Sequence, residues 1–357
     1  MSDTSFYRLR VADRRAETDT CVSVALAVPR ELRDAFAYAA GQYLTLRATI
    51  DGAEVRRAYS LCSAPHEGEW RVAVKRVPGG KFSGFVHDAL QVGDELDVMP
   101  PQGHFRAPSV PVRHIVGFAA GSGITPVIGI AKQVLHEQPE ALVTLFYGNR
   151  ATQGIIFREA LDGLKNTYLR RLRVFHVLSR EHLGTELFFG RIDADKCAAF
   201  AKTLFAPAEV DGFYFCGPLP MVEAGRDVLQ ALGVPKERIH YELFGAPVAA
   251  HARPAAPARA TRQADLSRVA ITIDGRTVTI DVLDDGSHLL EAGLSFGLEL
   301  PYACKGGVCS TCKCLVTEGE VVMDVNYALE EDEVAAGYVL SCQARAVSEV
   351  AGVNFDV

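Results

Sequence analysis

The first hundred or so residues carry short runs in which apolar and polar positions alternate. Such runs fall at 42–48, 55–60, 70–76 and 95–98, with Asp51-Gly52 and Gly79-Gly80 as turn signals between some of them. Alternation with a period of two places every other side chain on one face of a strand. Several short strands of this kind predict an antiparallel β-barrel.

Beyond the proline-rich stretch at 108–111 the pattern changes. Apolar runs at 114–119, 141–147, 172–178 and 212–216 alternate with helical periodicity at 126–137, 157–164 and 219–232. That order predicts an α/β domain with a doubly wound parallel sheet. The apolar stretch 115–135 is long enough to suggest a membrane span. It contains Gly121, Ser122, Gly123, Thr125, Pro126 and Lys132, so a strand, a tight loop and a helix fit better, and no membrane contact is expected. Residues 246–267, rich in Ala, Pro and Arg, show no apolar period and read as a linker. After it, runs at 269–272 and 277–282 flank Asp274-Gly275, a hairpin signal, and a helical stretch follows at 289–294. The expected division is a barrel domain over 1–109, an α/β domain over 110–246, a linker over 247–267 and a small C-terminal domain over 268–357.

A length of 357 residues suits two or three domains, and 48% hydrophobic with 23% charged residues is an ordinary globular balance. The net charge of −7 argues against nucleic acid as a partner. From Arg268 onward five Lys and Arg face fifteen Asp and Glu, so the C-terminal domain is acidic on a body near neutrality. Glu330-Glu331-Asp332-Glu333 is a candidate docking patch. The nine cysteines are odd in number and clustered late, and the first ten residues lack an apolar signal core, so a reducing cytoplasm is expected.

The late cysteines carry the most specific chemistry. Cys304, Cys309, Cys312 and Cys342 follow C-x4-C-x2-C…C, the plant-type [2Fe–2S] spacing. Gly306-Gly307 lets the loop wrap closely and aim amide N–H groups at sulfur. A structural zinc site more often uses paired C-x2-C steps. Gly121-Ser122-Gly123-Ile124-Thr125-Pro126 follows a strand and opens a helix, a place suited to a pyrophosphate. No acidic residue ends the next strand; Asn149-Arg150 and, one strand later, Ser179-Arg180 stand there, which points to NADPH. In the first domain Arg57-Ala58-Tyr59-Ser60 ends a strand. Gly79-Gly80-Lys81-Phe82-Ser83 precedes a short helix that Ser83 could cap, leaving its first N–H groups and Arg57 for a phosphate and Tyr59 to cover a flavin.

These motifs, with Cys216-Gly217-Pro218, occur in the order seen in the ferredoxin–NADP reductase superfamily, which the chain resembles over nearly all its length. The resemblance implies a β-grasp ferredoxin domain of α+β class at the C-terminus. Within the superfamily the chain resembles the reductase components of phenylacetyl-CoA epoxidases. The similar stretches are 99–105, 147–150, 300–309 and 335–342. The resemblance implies FAD; the run from Arg57 to Cys62 is also similar to FMN-using dioxygenase reductases. It implies Ser60 at flavin N5 and Cys216 beside the nicotinamide as catalytic residues, with Glu242 and Phe244, after the last strand, closing the site. The implied function is electron transfer from NADPH through FAD and [2Fe–2S] to a di-iron oxygenase that epoxidises phenylacetyl-CoA. Reductases of Rieske-type steroid or aromatic-acid hydroxylases share the same three domains and are the alternative.

Overall fold

A computed structural model describes residues 5–245, 266–283 and 286–357. The chain forms two compact units, Ser5–Phe244 and the chain from Gly245 to Val357. The expected linker lies for the most part outside the described residues. Leu266 and Ser267, placed in it by composition, already pair within a strand.

The first unit begins with six antiparallel strands: β1 (Tyr7–Thr18), β2 (Cys21–Ala27), β3 (Tyr43–Ile50), β4 (Ala53–Ser60), β5 (Trp70–Lys75) and β6 (Glu95–Gln102). Their order is β4-β3-β6-β1-β2-β5. Leu61, just past β4, bridges to Val72 of β5 and so brings the two edge strands together, closing the barrel. Leu9, Val11, Val24, Leu44, Leu46, Val72 and Val98 fill it. Apart from its last residue β2 is buried throughout, so alternation could not reveal it. Helix α1 (Lys81–Asp88) follows the Gly79-Gly80 turn.

Five parallel strands come next: β7 (His114–Ala120), β8 (Leu142–Asn149), β9 (Leu172–Leu178), β10 (Gly212–Cys216) and β11 (Ile239–Glu242), ordered β11-β10-β7-β8-β9. The expected doubly wound sheet is present. Its order reverses between β7 and β10, where ligands of such sheets bind at the carboxyl ends. Helices α2 (Ile124–Glu137), α3 (Arg158–Thr167), α4 (Ala194–Thr203) and α5 (Leu219–Ala231) accompany it. No helix among the described residues is long and apolar enough to cross a membrane. Phe215, Phe118, Phe146 and Phe175 occupy matching positions on β10, β7, β8 and β9. Their rings stack in sequence at 4.6, 5.0 and 5.3 Å, a ladder that ties the sheet across its width.

The second unit is a mixed sheet: β12 (Leu266–Ile273), β13 (Arg276–Leu283), β14 (Lys313–Glu318), β16 (Tyr338–Leu340) and β18 (Val350–Asn354), in the order β13-β12-β18-β14-β16. A separate pair joins β15 (Val321–Met323) to β17 (Ala344–Ala346). Parallel pairing of β12 with β18 beside antiparallel neighbours gives the β-grasp arrangement. Helix α6 (Leu289–Ser295) buries Leu289 and Leu290 in this core. Asp274 and Gly275 turn the first hairpin at φ 51° and 71°. Asp356 clamps that turn, accepting both their N–H groups at 2.7 and 2.8 Å. Helix α7 (Glu331–Ala335) carries the acidic run.

Candidate functional site

At the mouth of the barrel β4 ends on Ser60, which is 3% exposed. Its Oγ donates to Glu242 Oε2 at 2.9 Å. Glu242 is the last residue of β11 rather than a residue after it. Glu242 stands opposite Cys216 in the β10–β11 ladder. Ser60, Cys216 and Glu242 therefore converge at the carboxyl edge of the parallel sheet. Glu242 keeps a little accessible surface yet is walled in by protein, and burial, opposed by the Ser60 hydroxyl, pushes its carboxyl up to about 8. Burial, helped by the Glu242 charge, also raises the Cys216 thiol. Phe244 is 47% exposed just beyond.

The glycine loop packs against the same edge. A Cβ on Gly123 would lie 2.0 Å from the Cys216 carbonyl oxygen, and one on Gly217 would lie 2.6 Å from Met221 Cε. Only bare backbone fits at Gly123. Tyr147 Oη donates to the Gly121 carbonyl at 3.0 Å and accepts Ile156 N–H at 3.2 Å, which fixes the loop. Thr125 Oγ1 donates to the Ser122 carbonyl. Thr125 and Pro126 lie in the first turn of α2, which no side chain caps. The ends of β8 and β9 run together beyond it. Ser179 N–H donates to the Asn149 carbonyl at 3.0 Å and Arg180 N–H to the Arg150 carbonyl at 2.8 Å. The four residues expected at the ribose thus come side by side.

The barrel's glycine turn differs from expectation in one respect. Helix α1 begins at Lys81 with Gly80 as its N-cap, so Ser83 is not the cap. Ser83 lies inside the first turn, where Oγ accepts Val77 N–H at 3.1 Å and donates to the Gly80 carbonyl at 3.2 Å. It braces the turn and leaves the first N–H groups of α1 without a side-chain cap. Tyr59 packs at 5.8 Å on Phe82, and Arg57 is exposed, with Ala58 partly buried between them.

In the second unit the four late cysteines meet as two facing pairs, Cys304 with Cys309 and Cys312 with Cys342. Cys304 N–H points at Cys309 Sγ (3.5 Å) and Gly306 N–H at Cys304 Sγ (3.3 Å). The Cys309 thiol hydrogen-bonds Cys304 and, with amides of the loop, brings Cys304 down to about 6 against the effect of burial. Lys305, Gly307 and Ser310 adopt φ of 52°, 74° and 54°, which curls the loop inward. Among the described residues no three His, Cys, Asp or Glu side chains gather around a point that one metal ion could fill. Two neighbouring thiol pairs, one for each iron, are what a [2Fe–2S] cluster would use.

Three family models match in this order: an oxidoreductase FAD-binding domain over residues 9–107, an oxidoreductase NAD-binding domain over 118–227, and a 2Fe-2S iron-sulfur cluster binding domain over 271–347. The chain is 42% identical to one of the subunits that make up the 1,2-phenylacetyl-CoA epoxidase of Escherichia coli, over 99% of this chain and 98% of that one. This chain belongs to the oxygenase-reductase family that includes that protein. Members of the family are oxidoreductases that deliver electrons to oxygenase components. The ferredoxin reductase component of 3-ketosteroid-9-alpha-monooxygenase from Rhodococcus rhodochrous is 37% identical over 95% of this chain and 94% of its own. The solved phthalate dioxygenase reductase shares the fold, with a TM-score of 0.58, 24% identity and 98% of each chain covered.

The residues of this family member fit its three groups. Uncapped N–H groups at α1 and α2 offer donors for phosphate. Asn149 Nδ2 is buried beside the Tyr147 hydroxyl with no partner at hydrogen-bond geometry. Two further residues went unremarked in the sequence. Lys75 of β5 brings its ammonium to within 3.4 Å of the Cβ position of Gly121, placing a barrel cation at the nucleotide loop. Its signal was only its place at a strand end. Glu181 accepts Thr152 N–H at 2.8 Å and Thr152 Oγ1–H at 2.7 Å, so its carboxylate is engaged beside Arg180.

Proposed function

We propose that this chain takes electrons from NADPH and passes them, through FAD and a [2Fe–2S] cluster on Cys304, Cys309, Cys312 and Cys342, to a di-iron oxygenase that epoxidises phenylacetyl-CoA in the cytoplasm. The observation that carries the first half is the convergence of Ser60, Cys216 and Glu242 where the barrel meets the parallel sheet. Identity of 42% along the whole chain supports the second half.

When bound, the flavin accepts a hydride and releases electrons singly, which suits a cluster that takes one at a time. The chain's own residues bind, orient and manage a proton. Arg57, Ala58, Tyr59 and Ser60, with Gly79, Gly80, Lys81, Phe82 and Ser83, would hold the flavin and its phosphates. Gly121, Gly123, Thr125, Pro126, Cys216, Gly217 and Pro218 would hold the nicotinamide and pyrophosphate. Asn149, Arg150, Ser179 and Arg180 would hold the ribose and its 2′-phosphate. Each carboxylate oxygen of Glu181 accepts one hydrogen bond from Thr152. Cys216, fully buried, would position the nicotinamide by shape alone. Glu242, raised to about 8 by burial, would hold a proton near neutral pH while its Oε2 accepts the Ser60 hydroxyl, a proton store beside the reacting region. Phe244 would shield it from water.

Purified protein is to be mixed with the oxygenase components of a phenylacetyl-CoA epoxidase and, separately, of a 3-ketosteroid hydroxylase. NADPH consumption dependent on phenylacetyl-CoA is the expected result. Coupling only to the steroid system would transfer the assignment to the Rieske-type class.

A further inference from the structure

Gln343 follows Cys342 directly, and its side chain turns back over the cysteine loop. Gln343 Nε2 donates to the Lys305 carbonyl at 3.1 Å and to the Cys342 carbonyl at 2.8 Å, and it lies 3.7 Å from Cys342 Sγ. An amide has two N–H bonds, so one serves Lys305 and the other is shared between the oxygen and sulfur of Cys342. One side chain thereby joins the loop that carries Cys304 and Cys309 to the strand end that carries Cys342.

Its surroundings hold it in that pose. Gln343 N–H donates to the Leu340 carbonyl at 2.8 Å, and the Gln343 carbonyl accepts Asp324 N–H at 2.9 Å. A Cβ on Gly307 would come within 3.1 Å of Gln343 Cγ, so the glycine leaves room for the glutamine stem to lie across the loop. Lys305, whose carbonyl receives the bond, has the left-handed φ of 52°. Its own side chain is tied outward, Nζ to Glu291 Oε1 at 2.9 Å and over the Tyr302 ring at 4.5 Å. The strained residue is therefore held from both sides, by Glu291 and Tyr302 outside and by Gln343 inside.

Hydrogen bonds to ligand sulfur draw electron density from it, stabilise the reduced cluster and raise its potential. A side chain that also fixes the loop governs how readily iron escapes. We propose that Gln343 is a positioning residue for the electron-transfer site: it clamps the cysteine loop through Lys305 and, by its N–H toward Cys342, sets the cluster potential upward. This rests on the assignment of the four cysteines as cluster ligands.

The test uses the full chain with its flavin and cluster. Iron per chain, the midpoint potential from a redox titration followed by EPR, and the rate of iron loss to a chelator are measured for the parent, Gln343→Met and Gln343→Glu. Methionine keeps the volume and removes both donors; glutamate keeps the shape and adds a negative charge. Both variants are expected to show a lower midpoint potential, glutamate the lower of the two, and iron loss several-fold faster than the parent. A variant that fails to retain iron while keeping the parent's flavin spectrum supports the clamp. An iron-loaded methionine variant with the parent's midpoint potential overturns the inference. A parent without two irons per chain overturns the ligand assignment instead, so the two failures are distinct.

Discussion

Ser60 and Glu242 are separated by 182 positions in the chain and joined by a hydrogen bond of 2.9 Å. One closes a barrel strand and the other closes the edge strand of the parallel sheet. The bond exists only when both halves of the first unit are folded against each other, so it reports their docking as well as serving the site.

The raised carboxyl makes stability depend on pH. Glu242 ionises near 4.5 in an ordinary setting and near 8 in the fold. Between those values the folded chain holds a proton that the unfolded chain has released, so stability falls as pH rises from about 4.5 to about 8 and levels off above. Glu242→Gln removes that proton. The difference in melting temperature between parent and variant is expected to move in the variant's favour across this window. Parallel curves for the two proteins from pH 5 to pH 8.5 would rule the assignment out.

Removing the hydroxyl tests the site directly. Ser60→Ala leaves the Glu242 carboxyl without its hydrogen bond and the reacting region without an orienting group. Flavin reduction by NADPH in stopped flow is expected to slow by about 10- to 100-fold, the scale of a lost orienting contact. Flavin content should stay at the parent's level. Unchanged reduction would show that Ser60 only packs.

The ribose assignment predicts a selective loss. Arg150 and Arg180 lie on neighbouring strand ends linked by backbone hydrogen bonds. A charge-assisted bond to phosphate contributes roughly 1.5–3 kcal/mol, a factor of about 10 to 150. Arg150→Ala and Arg180→Ala should each lower kcat/KM for NADPH on that scale and leave NADH within about twofold. Equal losses for both coenzymes would place the two cations elsewhere.

The sequence showed the parallel sheet and the cysteine loop well because each rests on a local pattern. Apolar runs at β9 and β10 match their strands residue for residue, and four thiols at fixed spacing need no tertiary context to be read. What it concealed is long-range. Ser83 looks like a cap by composition, yet the cap lies three residues earlier at Gly80 and the helix starts at Lys81. Strand β2 is buried on both faces and so has no alternation to read. Lys75 reaches Gly121 only after the barrel has met the sheet. The Gln343 side chain finds Lys305 only through a fold that brings residues 38 positions apart into contact.

The phenylalanine ladder explains how the sheet holds the site at a fixed height. Phe118 lies between Phe215 and Phe146 at 4.6 and 5.0 Å, fully buried, on the strand that leads into the Gly121 loop. Truncation there deletes both stacking contacts and leaves a cavity that close-packed neighbours fill poorly. Phe118→Ala is expected to cost about 3–5 kcal/mol, and Phe118→Leu, nearer in volume, under about 2. Because β7 pairs with both β8 and β10, the loss should appear also as weaker coenzyme binding. Denaturant unfolding of the two variants, with NADP+ titrated into each, measures both effects. Destabilisation of Phe118→Ala by less than about 1 kcal/mol would mean that the ladder is incidental and that the helices on the sheet's faces hold the strands.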